Sequence, residues 1–291
     1  MSKLLDGRII AVKINEQLKQ EVESLKAISG RRPHLAVIEI GKDEASSVYV
    51  KSQANTAAKI GIEYKLHTLE ADSSQKDLEN YIEKLNKDKI VTGIMLQLPL
   101  PKIINAKAAQ SNIIVDKDVE AVNPQNLGRV FAGGYKVAPC TAMAAMELIL
   151  STGIDLAGKE VVVVGRSAIV GKPIAMLLLE KNATVTLCHT GTAKREKLAD
   201  HIKKAEVLVV AIGKPGLIKG NWVRKGAVVI DVGTTMVNNK IVGDVEFQKA
   251  SRRAGFITPV PGGLGPLTVA ILMRNTIELF KQAYSSSEPR T

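Results

Sequence analysis

Apolar residues recur at Ile10, Ile14, Leu18, Val22 and Leu25, a helical spacing that predicts a helix over 7–28, ended by Gly30. His34 to Ile40 reads as a strand. The polar turn from Gly41 to Ser47 predicts the start of a second helix, which runs past Tyr49 to about Ile60 and stops at Gly61. Strands over 62–69 and 90–98 and helices over 75–86 and 103–110 follow, with Pro99-Leu-Pro101 closing the third strand. This β-α-β-α-β alternation predicts a parallel, layered α/β domain.

Beyond Gly133-Gly134, a helix runs through Leu150, and Val161 to Val164 form a run of four valines. Such a run suits a strand buried on both faces of a parallel sheet. A turn carrying Gly165 and Gly171 leads into an apolar helix from Ile174 to Leu179. Strands at 183–188, 207–212, 228–232 and 257–259 predict a second parallel sheet. A last helix over 267–283 and a fraying tail, 285–291, complete the chain.

Composition narrows the classes. At 291 residues the chain suffices for two cores, and 45% apolar with 24% charged residues is ordinary for a soluble protein. Aromatics at 3% argue against base-stacking recognition of single strands. The net charge of +11 favours anionic ligands without choosing among them. Cys140 and Cys188 lack metal-type spacing and read as packed thiols in a reducing compartment. The N-terminus lacks a signal-type apolar stretch, and no run reaches the ~20 apolar residues of a membrane span. The expectation is a cytoplasmic protein without metal, membrane or nucleic-acid partners.

Strand, glycine turn and helix open a nucleotide-binding βαβ unit, where a helix N-terminus faces phosphate. Here the turn reads Gly165-Arg-Ser-Ala-Ile-Val-Gly171, with Ser167 at the second glycine of the usual fingerprint. An ordinary strand-to-helix turn gives the same pattern. The next strand ends at His189-Thr190, where an NAD site carries an acid for the ribose; none is present. Arg166 and Thr190 suit a 2′-phosphate, so the expected cofactor is NADP.

Several segments together resemble one family, the bifunctional methylenetetrahydrofolate dehydrogenase/cyclohydrolases. They include Leu5-Asp-Gly7, Val37-Ile-Glu-Ile-Gly41, Tyr49-Val50, Gln97-Leu-Pro-Leu-Pro101, Lys117-Asp-Val119 and Pro139-Cys-Thr141. Val164 to Pro173, Cys188-His189, Asp231-Val-Gly233, Gly243-Asp-Val245 and Thr258 to Gly263 continue the match. The resemblance implies a homodimer of two-domain subunits: a folate-binding catalytic domain, 1–137 plus 268–291, and a Rossmann-like NADP-binding domain, 138–267. Folate would lie in the cleft between them. It implies catalytic roles for Tyr49, Gln53, Gln97 and Glu120. Substrate contacts fall at Tyr49, Gln97, Leu98, Pro99, Glu120, Pro261, Gly262 and Gly263. Cofactor contacts fall at Gly165, Arg166, Ser167, Ile169, Val170, Gly171, His189, Thr190, Gly233 and Thr234.

Three departures from the family pattern stand out. The family's Tyr-x-x-x-Lys pair reads Tyr49…Gln53, and an amide cannot titrate near neutrality. Its Lys-Asp-Val-Asp-Gly loop reads Lys117-Asp-Val-Glu-Ala121, where Ala121 is expected to disfavour a positive-φ turn and redirect the loop. Ala142 and Ala144 replace the proline and glycine after Pro139-Cys-Thr141, which bears on how the helix starts. Hydride transfer from 5,10-methylenetetrahydrofolate needs positioning more than a base, whereas water addition to the methenyl cation moves protons. The main expectation is an NADP-dependent dehydrogenase whose cyclohydrolase activity is weak or lost. A fully bifunctional enzyme and a non-catalytic folate- or nucleotide-binding homologue are the alternatives.

Overall fold

The computed structural model describes residues 2–41, 44–238 and 240–285. Lys42 and Asp43 of the expected polar turn, and the tail after Ser285, lie outside the described residues. The strands are β1 (Lys3–Leu4), β2 (His34–Ile40), β3 (Glu63–Leu69), β4 (Gly93–Leu96), β5 (Glu160–Val164), β6 (Thr184–Cys188), β7 (Val207–Val210), β8 (Val228–Asp231), β9 (Thr235–Val237), β10 (Lys240–Val242) and β11 (Phe256–Ile257). The helices in the first half are α1 (Gly7–Ser29), α2 (Glu44–Ile60), α3 (Gln75–Lys87), α4 (Ala106–Asn112) and α5 (Pro124–Ala132). Those in the second are α6 (Cys140–Leu150), α7 (Gly171–Leu179), α8 (Thr190–Lys194), α9 (Leu198–Ile202), α10 (Phe247–Ala250) and α11 (Leu264–Ser285).

Two compact units divide the chain: Met1–Val12 with Thr141–Thr268, and Lys13–Cys140 with Val269–Thr291. The first residues group with the later segment, not with 13–137 as the sequence boundaries had it. The cause is backbone pairing: β1 lies parallel beside β11, and Gly7 N–H donates to Gly262 O at 3.1 Å.

In the unit containing Lys13–Cys140, three parallel strands take the order β3-β2-β4. Alternation sends Ala36, Ile38 and Ile40 of β2 into a core with Leu78, Ile82, Leu85, Ile94 and Leu96. The opposite face carries Leu35 and Val37, with Tyr64 and Leu66 paired on β3 and Met95 on β4. Within α2 the buried positions are Ser46, Val50, Gln53, Ala57 and Ile60. A glutamine therefore sits in the helix's core-facing stripe. β4 is shorter than the expected 90–98, since Pro99 and Pro101 cannot donate to a ladder. α5 was missed, although Asn123 caps it and Pro124 starts it.

In the other unit, six parallel strands take the order β1-β11-β8-β7-β5-β6. Val161 to Val164 are all buried, as are all four residues of β7 and of β8. β5 pairs with β6 on one side and β7 on the other, so the direction of winding reverses at β5. β9 and β10 form an antiparallel pair that the sequence reading did not anticipate. No helix among the described residues is long and apolar enough to cross a membrane.

Candidate active site

Where winding reverses in a parallel sheet, the loops at the strands' carboxyl ends splay apart and leave a crevice. A cavity of about 440 Å³ lies there, among Gly165, Arg166, His189, Thr190, Ile212 and Lys214, with Lys194 beside them. The glycines of the turn are sterically demanded. A Cβ on Gly165, whose φ is +124°, would stand 2.2 Å from Ala211 O, and one on Gly171 would stand 2.1 Å from Gly165 O. Ser167 takes the second glycine's place and holds the turn: its Oγ accepts from Val170 N–H at 3.2 Å and Gly171 N–H at 3.3 Å. Those two amides are thus already engaged by the chain's own serine. His189 caps α8, its Nδ1 accepting from Gly191 N–H at 3.0 Å.

The loop after β7 is held by a buried acid. Asp244 accepts from the N–H groups of Ile212, Gly213 and Lys214 at 2.8, 2.9 and 2.7 Å. Asp231, at the end of β8, accepts from Gly233, Asp244 and Val245 N–H at 3.0, 3.0 and 2.9 Å. Burial still pushes the Asp231 carboxyl up to about 6, against those donors. The sequence reading gave neither acid a role.

The second polar cluster lies in the unit containing Lys13–Cys140. Gln53 is fully buried. Its Oε1 accepts from the Tyr64 hydroxyl at 2.9 Å, and its Nε2 donates to Met95 Sδ and Gln97 Oε1, each at 3.5 Å. Gln97 Nε2 in turn donates to Leu98 O at 2.7 Å. Tyr49 stands one turn before Gln53 on α2. Its hydroxyl is pushed above the usual phenol range by burial first, then by Cys140 and Glu120 nearby, against a hydrogen bond with Gln53.

Glu120 is placed by its loop. Lys117 Nζ donates to the carbonyls of Leu85, Asn86 and Asp88 at 2.9, 2.8 and 2.6 Å. Asp118 Oδ2 accepts from Asn123 N–H at 2.8 Å and Asn126 Nδ2 at 3.0 Å. Asn275 of α11 donates to Val119 O at 2.8 Å and Ala138 O at 3.1 Å. Burial, with Asp118 adding to it, pushes the Glu120 carboxyl up to about 8. The Cys140 thiol is also pushed up, by burial first and then by Glu120. Near neutral pH Tyr49, Cys140 and Glu120 therefore hold their protons.

The description "tetrahydrofolate dehydrogenase/cyclohydrolase, catalytic domain" matches residues 5–120, and its NAD(P)-binding counterpart matches 139–284. The bifunctional protein FolD of Acetivibrio thermocellus is 51% identical over 96% of this chain and 97% of its own. A solved bifunctional FolD enzyme from Campylobacter jejuni superposes with TM-score 0.92 at 40% identity, over 97% of this chain and 99% of that one. A FolD structure from Trypanosoma brucei, complexed with NADP cofactor and inhibitor, gives 0.92 at 40% identity, over 99% of both chains. This chain belongs to the tetrahydrofolate dehydrogenase/cyclohydrolase family.

In a member of this family the expected site residues can be placed one by one. Gly165, Arg166, His189 and Thr190 line the cavity. Ser167, Val170 and Gly171 build the turn beside it, and Ile169 is partly exposed on that turn. Gly233 and Thr234 lie in the loop after β8, outside the cavity lining. On the folate side Tyr49, Gln53, Gln97 and Glu120 belong to one cluster, with Leu98 and Pro99 exposed at the strand end. Pro261 to Gly263 lie in the unit containing Thr141–Thr268, where Gly262 has φ +105°.

One expectation is corrected. Ala121 does adopt the positive-φ turn, at +53°, fully buried and with its N–H on Asp118 O at 3.1 Å. The anchors on Lys117, Asp118 and Val119 impose the turn on a residue that resists it. Lys117 and Asp118 are each spent on the backbone and side-chain contacts given above. Tyr64, Asn275 and Asp244 were missed. Only Tyr64 left a signal, as an aromatic on the strand face beneath the Tyr49–Gln53 helix.

Proposed function

We propose that this protein oxidises 5,10-methylenetetrahydrofolate to 5,10-methenyltetrahydrofolate with NADP and has little or no cyclohydrolase activity. The crevice fits such a cofactor. Its glycines allow the tight turn that lines it, and Arg166, Lys194 and Lys214 supply positive charge for a phosphorylated ribose. NADP, when bound, supplies the nicotinamide that takes the hydride. The chain's own part in that step is to hold the folate in place, and neutral donors and acceptors suffice for it.

The observation that carries the second half is the buried, hydrogen-bonded Gln53 amide. Adding water to the methenyl carbon requires a proton to leave that water, and later one to reach the departing nitrogen. Gln53 does neither. Tyr49 holds its proton far above neutrality, and Glu120 becomes a carboxylate only above about 8. At neutral pH the cluster has no ready base.

Mixing the protein with methylenetetrahydrofolate and NADP, and following NADPH and the methenyl chromophore together, tests the reading. NADPH formation with accumulating methenyl product is expected. Methenyl consumed beyond its uncatalysed rate would establish a bifunctional enzyme instead, and binding without hydride transfer would leave a non-catalytic homologue. A homodimer in the cytoplasm completes the proposal; light scattering giving a monomer's mass would remove the first part of it.

A further inference from the structure

Gln53 occupies a fully buried position, so no water chooses which way its amide points. A primary amide is nearly symmetric in shape, and its orientation is set by its partners. Its partners include the Tyr64 hydroxyl at 2.9 Å on one side and Met95 Sδ with Gln97 Oε1 at 3.5 Å on the other, and Tyr49 also hydrogen-bonds the Gln53 side chain. The sulfur and the amide oxygen are acceptors, so they require the nitrogen end. A hydroxyl facing the oxygen end must then donate.

We propose that Tyr64 is a positioning residue of the folate site, whose hydroxyl locks Gln53 with its nitrogen toward Gln97. This rests on the folate-site reading of the preceding subsection. The lock makes a one-way donor chain: Tyr64 to Gln53, Gln53 to Gln97, and Gln97 to the Leu98 carbonyl at 2.7 Å. Every member is neutral. Burial, with Glu39 adding to it, pushes the Tyr64 hydroxyl above the usual phenol range, so it keeps the proton it donates. Position 53 thereby presents a fixed N–H donor without a charge. The strand-end residue Gln97 inherits a fixed orientation.

Packing alone does not account for the hydroxyl. The ring of Tyr64 lies on the β3 residue paired with Leu35, where a phenylalanine would fill the same space. The hydroxyl donates to Gln53 Oε1. Without it the buried Oε1 loses its 2.9 Å donor, and the amide's orientation rests on its weaker 3.5 Å contacts and on Tyr49.

A double-mutant cycle tests this, with Tyr64→Phe, Gln53→Met and the pair together. The readouts are calorimetric binding of 5,10-methenyltetrahydrofolate, dehydrogenase kcat and KM for each substrate, and Tm. In the wild-type background Tyr64→Phe should weaken methenyltetrahydrofolate binding and lower kcat/KM for the folate by about three- to tenfold, the range of one neutral hydrogen bond. KM for NADP should not move. In the Gln53→Met background the same change should cost less than about twofold, since nothing remains to be oriented. An equal loss in both backgrounds, no loss in the first, or a lowered Tm with unchanged binding would each overturn the proposal. So would failure of the wild-type protein to bind the methenyl compound. Binding without turnover would sink the dehydrogenase reading alone, leaving the binding cycle to judge Tyr64.

Discussion

Two loops illustrate opposite ways of building a site. The turn after β5 is made of backbone. Gly165 and Gly171 are glycines because a Cβ at either would meet a carbonyl oxygen near 2 Å, as the 2.2 and 2.1 Å approaches show. Its charged residue, Arg166, stands exposed at the cavity edge. The loop around Glu120 is made of side chains. Lys117, Asp118, Asn123, Asn126 and Asn275 pin its backbone firmly enough that Ala121 takes a positive φ. The first loop tolerates changes that keep its glycines. The second tolerates the loss of a glycine because the turn is fixed from outside.

The difference is broken most severely at the glycine turn. Gly171→Ala should cost about 3 kcal/mol, the upper range for overpacking, because the clashing atom is a backbone carbonyl that cannot rotate away. Denaturant unfolding should show it, with NADP binding lost alongside; a stability within ~0.5 kcal/mol of wild type would mean the turn relaxes freely. Arg166→Ala leaves the turn intact and removes one charge-assisted partner. It should raise KM for NADP by about ten- to a hundredfold and KM for NAD by less than about twofold. Equal losses for both would exclude a 2′-phosphate role.

How legible each loop was follows from what builds it. Four valines, two glycines and Arg166 are contiguous in the sequence, so the strand, turn and helix could be read locally. Eight of the nine parallel strands among the described residues, and most helices, were visible for the same reason, as apolar periodicity. β1 was not, because two exposed residues become a strand only by pairing with Phe256 and Ile257 at the far end of the chain. The folate side was half legible. Tyr49 and Gln53 share a helix face, but Tyr64, Met95 and Gln97 join them across a sheet. Asn275 reaches Val119 over 156 residues. Contacts of that span leave no local pattern.

Gln53→Lys sharpens the contrast chemically. It should raise methenyl hydrolysis by on the order of tenfold, less than the 10²–10⁴ of a well-placed acid or base, because the Tyr64 hydroxyl and Met95 sulfur were not arranged for an ammonium. Following the decay of the methenyl chromophore checks it. An unchanged rate would shift the limitation to Glu120.

A smaller effect is expected from pH. The Glu120 carboxyl is raised in the folded protein to about 8 by burial, from about 4.3 when unfolded. Between those values the folded state holds a proton that the unfolded state has released. This contribution to stability is therefore full below ~4.3 and is lost as pH rises through about 8. Glu120→Gln should flatten that part of the pH–Tm curve; a parallel curve would show that Glu120 is not the titrating group. Residual hydrolysis by the wild-type protein should rise through the same pH region as the carboxylate forms.

The smallest effect should come from Ala121→Gly, where three terms nearly cancel. Glycine relieves the left-handed strain, about 1–2 kcal/mol for a residue with a Cβ. It also adds about 0.4–1 kcal/mol of unfolded-chain entropy to be lost on folding. Removing a fully buried methyl forfeits about 0.8 kcal/mol more. The net change should lie within about 0.5 kcal/mol by denaturant unfolding, with folate affinity unaltered. A stabilisation above about 1 kcal/mol would mean that the strain exceeds what the anchors offset. The contrast with the glycine turn would then narrow to two loops under similar constraint.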